Sequence, residues 1–165
     1  MLNQDYLIRK LTKQDLDQLM VIEAEVFSLP WSRESYETEL KNQFATYLAC
    51  DWEGQLAAYI GMWTVFEEAH ITNLAVNPKF RGRGLGRVLM LEEEKLARSK
   101  GATRIILEVR PSNCKALVLY RGLGYLPVSV RKEYYADNGE DAMVMIKHLL
   151  YVPSPTGEIQ GKQEI

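Results

Sequence analysis

Cysteine is nearly missing from this chain. Its two thiols, Cys50 and Cys114, stand far apart among 165 residues, with no Cys-x-x-Cys spacing and no histidine pair beside them. A disulfide framework is thereby excluded, no zinc or other metal site is suggested, and a reducing compartment suits the chain. Charge of one sign is missing too. Twenty basic residues against twenty-two acidic ones leave a formal net charge of −2, which argues against nonspecific capture of nucleic acid or of an anionic membrane. No apolar run approaches the roughly eighteen residues of a membrane span, and Met1 to Lys10 carries no apolar stretch of the kind a secretion signal needs. The expectation is a cytoplasmic protein with neither nucleic acid nor membrane as partner.

What is present suffices for one core. With 47% hydrophobic and 25% charged side chains, residues 1–150 read as a single domain, and residues 151–165, which are Pro, Gly and polar from Pro153 onward, read as a disordered tail. Tyr6-Leu7-Ile8 suggests a first strand. Thr12-x-x-Asp15 then starts a helix with apolar positions at Leu16, Leu19, Met20, Ala24 and Phe27. Pro30 breaks it, and Ser32 is placed to cap a second helix running to Leu40. Ala45 to Trp52, Leu56 to Val65 and His70 to Val76 are rich in β-branched and aromatic residues and form an antiparallel meander. From Arg87 a helix with a buried stripe of Val88, Leu89, Leu91, Leu96 and Ala97 runs to Lys100-Gly101, a cation followed by a favoured stop. A covered strand, Ile105 to Val109, is followed by a short helix, Asn113 to Arg121, with Leu117, Val118 and Leu123 as its core residues. A hairpin of Tyr125 to Tyr135 and Ala142 to Leu149 then turns at Ala136-Asp137-Asn138-Gly139. His70 reads as a strand residue near the cleft rather than a ligand, and His148 as a sheet or surface residue.

Between the meander and the third helix lies Arg81-Gly82-Arg83-Gly84-Leu85-Gly86. Glycine lets a backbone come close to a ligand with positive φ, and the first amides of a helix have no partner of their own, so this order makes an anion cradle. A dinucleotide loop does not fit. Gly-x-Gly-x-x-Gly would need its third glycine at position 87, which is Arg87, and no Gly-Lys-Ser/Thr ending marks a nucleotide triphosphate loop.

The order β-α-α-β-β-β, then Arg-x-x-Gly-x-Gly and a helix, then β-α-β-β, resembles the GNAT acyl-CoA N-acyltransferases. Within them it is similar to the RimI-type ribosomal-protein alanine N-terminal acetyltransferases. The motifs that carry the resemblance are Leu29-Pro30-Trp31-Ser32, His70 to Val76, Arg81 to Gly86, Leu107-Glu108-Val109-Arg110, Ser112-Asn113, Leu119-Tyr120-x-x-Leu123-Gly124-Tyr125 and Tyr134-Tyr135. The fold implied is α/β (α+β): a mixed, mostly antiparallel seven-stranded sheet with about four helices and a splayed central cleft.

Acetyl-CoA is the implied co-substrate. Its pyrophosphate would rest on the loop Arg81, Gly82, Arg83, Gly84, Leu85, Gly86 and Arg87, its pantetheine arm beside Leu74, Ala75 and Val76, and Asn113 would contact it. Transfer of acetyl from a thioester to an amine needs a neutral amine, a place for the developing oxyanion and a proton for the departing thiolate. The resemblance assigns the base to Glu108 and the acid to Tyr120. Burial on a strand would raise the pKa of Glu108; without the resemblance, a salt-bridged or solvent-facing glutamate is the simpler reading. Cys114 lacks an activating histidine, so direct transfer without an acyl-enzyme is expected. A protein α-amine, with a pKa of about 7.7 to 8.0 against about 10.4 for lysine, suits a modest carboxylate base. The resemblance further implies that Leu29, Pro30 and Trp31 face Tyr134 and Tyr135 as walls for an acceptor peptide. Its N-terminus would be that of a ribosomal protein, beginning with alanine. Other protein N-termini, internal lysines, a small-molecule amine, or a catalytically silent acyl-CoA-binding module are the alternatives.

Overall fold

The computed structural model describes residues 5–149, so the expected tail lies outside the described residues. Strands β1 (Tyr6–Lys10), β2 (Ala45–Trp52), β3 (Gln55–Val65), β4 (Glu68–Val76), β5 (Arg104–Val109), β6 (Leu126–Arg131) and β7 (Ala142–His148) form one sheet in the order β1-β2-β3-β4-β5-β7-β6. Four α-helices flank it: α1 (Leu16–Val26), α2 (Arg33–Leu40), α3 (Leu85–Ser99) and α4 (Cys114–Gly122). All strand pairs are antiparallel except β4 with β5. This is the seven-stranded, mostly antiparallel sheet expected.

The period-two pattern of β3 explains why the sheet is covered on both faces. Tyr59 packs with Leu16, Leu19, Ile22 and Tyr36 under α1 and α2, whereas Ile60 and Met62 pack with Leu85, Leu89, Met90 and Ile105 under α3. Truncating one such residue, Leu89→Ala for instance, would cost about 2–5 kcal/mol. Gly61 answers a different need. A Cβ there would collide with the Tyr47 ring and the Asn73 amide, so only glycine admits the close passage of β3 beside a bulge in its pairing with β4.

The parallel pair positions the site. Only Glu68, Ala69 and His70 pair with Arg104, Ile105 and Ile106. Beyond them the strands part, so Ile71 to Val76 has no ladder partner on the β5 side and a cleft opens between the two.

Several local expectations shift. Helix α3 begins at Leu85 rather than Arg87, because Gly84 at φ 75° supplies its left-handed N-cap. Its buried stripe includes Leu89 and Ala97 as expected but also Glu93 and Glu94, while Val88, Leu91 and Leu96 are only partly buried. On α4 the buried residue is Tyr120, and Val118 is exposed; Leu123, just past the helix, is buried as expected. Strand β6 ends at Arg131. Glu133, at φ 50°, turns the chain out of the ladder and donates its N–H to Asp141 at 2.8 Å, so Tyr134 and Tyr135 lie in a loop, not on a strand. No helix among the described residues is long and apolar enough to cross a membrane.

Candidate active site

At one end of the cleft lies the glycine loop. Gly82 and Gly84 both have positive φ, and no atom stands within 4 Å of where a Cβ would sit on either. Among the described residues, none of the main-chain N–H groups from Gly82 to Arg87 donates to an intramolecular acceptor; the first helical bond runs from Val88 N to Gly84 O at 3.1 Å. Six consecutive donors are thus left at the positive end of a fifteen-residue helix, the setting in which a phosphate or diphosphate is held. Arg83 is less free than its neighbours, its guanidinium lying 4.7 Å from the Trp52 ring centre. Gly86 lies where α3, α4 and β4 meet: a Cβ there would touch Leu119, Leu74 and Val76.

The cleft itself has a volume of about 600 Å³ and is walled by residues of α1, β4, β5, α4 and three loops. Of the sequence-predicted residues it brings together Leu29, Trp31, Leu74, Glu108, Asn113, Tyr120, Tyr134 and Tyr135. Pro30, Ala75, Val76 and the glycine loop lie outside that wall. Asn113 caps α4, its Oδ1 accepting from Ala116 N at 3.1 Å, which leaves its amide hydrogens for a ligand.

Glu108 is buried, its side chain 8% exposed, and it is not alone. Its Oε2 lies 2.6 Å from His70 Nε2. An ionised carboxylate can only accept, so Nε2 carries the proton between them. Arg131 Nη2 comes within 3.4 Å of Oε1, in reach as a charge, yet Oε1 is shielded from solvent and without a hydrogen-bond partner. Burial is the largest single influence on the carboxyl and raises its pKa. The His70 hydrogen bond and charge together with Arg131 outweigh it, and the pKa falls below the ordinary glutamate value. The raised pKa expected from burial alone is therefore corrected, because His70 and Arg131, which favour the ionised carboxylate, lie on other strands.

Tyr120 projects from α4 into the same cleft. Its ring packs edge-on to Tyr125 at 6.0 Å. Burial, with a smaller contribution from Tyr135, pushes its hydroxyl up to about 12, so it remains a proton donor at neutral pH. Among the described residues the hydroxyl has no hydrogen-bond partner.

The acceptor walls are tied together by groups that the sequence alone did not single out. Glu23 of α1, buried, accepts from Tyr59 Oη at 2.7 Å, from Tyr36 Oη, and from Trp31 N at 2.9 Å, which anchors the Leu29 to Trp31 segment to the core. Arg110 sits over the Tyr135 ring at 3.8 Å and pairs with Asp137 at 2.8 Å. Asp137 in turn accepts from Ser28 Oγ across the mouth of the cleft. Asn73 donates to Tyr36 Oη. The one signal available beforehand was that His70 and Asn73 are polar residues among the apolar positions of β4; Glu23 is one of several polar residues of α1 and had none.

Comparison with known proteins agrees with this geometry. The Acetyltransferase (GNAT) family matches residues 16–125. A Bacillus subtilis (strain 168) protein, provisionally named a ribosomal protein bS18-alanine N-acetyltransferase, is 43% identical over 139 residues, covering 84% of this chain and 92% of its own. The ribosomal protein bS18-alanine N-acetyltransferase of Escherichia coli (strain K12) is 31% identical over 140 residues, covering 84% and 94%. The crystal structure of the ribosomal-protein-S18-alanine N-acetyltransferase from Escherichia coli superposes with a TM-score of 0.81 at 29% identity, over 91% of this chain and 97% of that one.

Proposed function

This chain belongs to the GNAT acetyltransferase family, and from that premise we propose that it is an acetyl-CoA-dependent Nα-acetyltransferase whose acceptor is the N-terminal alanine of ribosomal protein bS18. The observation that carries the reading is the pairing, in one cleft, of a carboxylate with a free buried oxygen and a tyrosine with a free hydroxyl. The acceptor is that of the relatives, and a cytoplasmic site of action follows from it. Residues 1–150 are the catalytic unit in this reading.

Bound acetyl-CoA supplies a thioester, an acyl group activated toward amines. The six free amides from Gly82 to Arg87, with Arg81 and Arg87 beside them, bind its diphosphate, and the unpaired edge of β4 at Leu74 to Val76 orients the pantetheine arm. Leu29, Pro30 and Trp31 on one side and Tyr134 and Tyr135 on the other hold the first residues of the peptide. Glu108 accepts the proton of the acceptor ammonium, directly or through water, and Tyr120 Oη gives its proton to the departing sulfur. A depressed carboxyl pKa makes Glu108 a weak base, adequate for an α-amine of pKa about 8 and poorly matched to a lysine of about 10.4.

A peptide panel tests this. Peptides beginning with alanine, serine or methionine, each with a free and a blocked N-terminus and an internal lysine, are incubated with acetyl-CoA and read by mass spectrometry. Acetyl on the free α-amine of the alanine peptide is expected. Label on the lysine of blocked peptides, or on none, would overturn the assignment.

A further inference from the structure

We propose that His70 is the positioning residue of the site: its Nε2–H holds Oε2 of Glu108 and fixes the rotation of the carboxylate, leaving Oε1 as the unpaired oxygen. The inference rests on the reading of Glu108 as base. Two oxygens of a carboxylate are chemically alike, and a freely rotating group would present either to the amine. Here the 2.6 Å contact from β4 engages one, in the range of charge-assisted bonds, and the other is buried with no hydrogen-bond partner. His70 is absent from the cleft wall while Glu108 is part of it. The imidazole side chain is about one-third exposed (34%).

The charged and titratable groups facing Glu108 are few. They are His70 on β4, Arg131 on β6 and the Tyr135 hydroxyl in the loop after β6; the cross-strand neighbour on β7 is Val144. Arg131 is the more exposed cation and lacks hydrogen-bond geometry to Oε1. Its charge helps keep the carboxylate ionised but does not orient it. Orientation falls to His70, and its loss leaves burial opposed only by Arg131 and a backbone hydrogen bond, which raises the pKa of Glu108.

Two variants separate orientation from charge: His70→Phe removes the donor and keeps a ring, and His70→Gln keeps a donor without the charge. The acetylation rate on the alanine peptide is measured at saturating acetyl-CoA, and the Glu108 carboxyl is titrated by carbon-13 NMR in protein labelled at glutamate. His70→Phe is expected to lower kcat about tenfold or more, to leave KM for acetyl-CoA unchanged, and to move the Glu108 titration upward, so that activity is lost at higher pH as pH falls. His70→Gln is expected to recover most of kcat and to bring the titration most of the way back, because the hydrogen bond lowers the Glu108 pKa more than the charge does. An unmoved Glu108 titration and unchanged kcat in His70→Phe would overturn the inference. The parent reading fails separately, if Glu108→Gln acetylates as fast as wild type.

Discussion

Between Gly82 and Arg87 the chain offers main chain and little else: six amides, two glycines in left-handed conformation and a helix end. Around Glu108 it offers side chains, brought together from β4, β5 and β6. The first region should tolerate a change of most side chains, since its donors belong to the backbone. The second should tolerate almost none, because each group there sets the charge or the direction of another. In the proposed reading a ligand site that is legible locally adjoins one that exists only after folding, and substitutions should separate the two by which kinetic constant they move.

The largest effect is expected at the carboxylate. Glu108→Gln should lower kcat by about a hundredfold or more with KM for acetyl-CoA nearly unchanged, measured by steady-state acetylation of the alanine peptide. A parallel rise in the donor KM would break the division between regions. Tyr120→Phe comes next. It removes the proton for the leaving sulfur while keeping the packing against Tyr125, and a loss in kcat of about ten- to a hundredfold is expected.

At the cradle the pattern should invert. An alanine costs about 1–2 kcal/mol in the left-handed conformation of Gly84, so Gly84→Ala should raise KM for acetyl-CoA about tenfold and leave kcat at saturating donor close to wild type. Calorimetry with CoA gives the same comparison without turnover. Asp137→Ala should act on neither donor nor chemistry. It unties Arg110 from Ser28 across the cleft mouth, and a severalfold rise in peptide KM alone is expected.

The smallest effect lies in α3, about two turns inside the helix that carries the cradle. Glu93 is buried, both its oxygens lack partners, and burial pushes its carboxyl up to about 9. A folded-state pKa raised above the unfolded value gives stability that is full below about 4.5 and is lost as pH rises through about 9. Glu93→Met should flatten the fall in Tm over that range and raise Tm at pH 8, with kinetics unchanged. An unaltered pH profile of Tm would mean that the carboxylate is accommodated after all.

Legibility followed the range of the interactions. The cap at Ser32, the stop at Lys100-Gly101, the meander and the glycine loop all depend on residues a few positions apart, and each appears near its expected place. The stripe of α3 was only half legible, because a glutamate inside a helical pattern looks solvent-facing until Lys147 of β7 arrives at 2.9 Å from Glu94. The hairpin strand is shorter than its residue pattern suggests for a similar reason. Nothing in Tyr134 and Tyr135 themselves shows that the chain turns at Glu133, or that Arg110 will claim Tyr135 as a stacking surface.

By itself the amino-acid order determined the succession of strands and helices, the backbone cradle and the family they spell, since periodicity, capping and glycine placement act over a turn or a strand. Only tertiary structure decided the state of the carboxylate. His70 and Glu108 are 38 positions apart and Ser28 and Asp137 are 109 apart, and a charge is tuned by what lies within a few ångströms in space, whatever the distance along the chain.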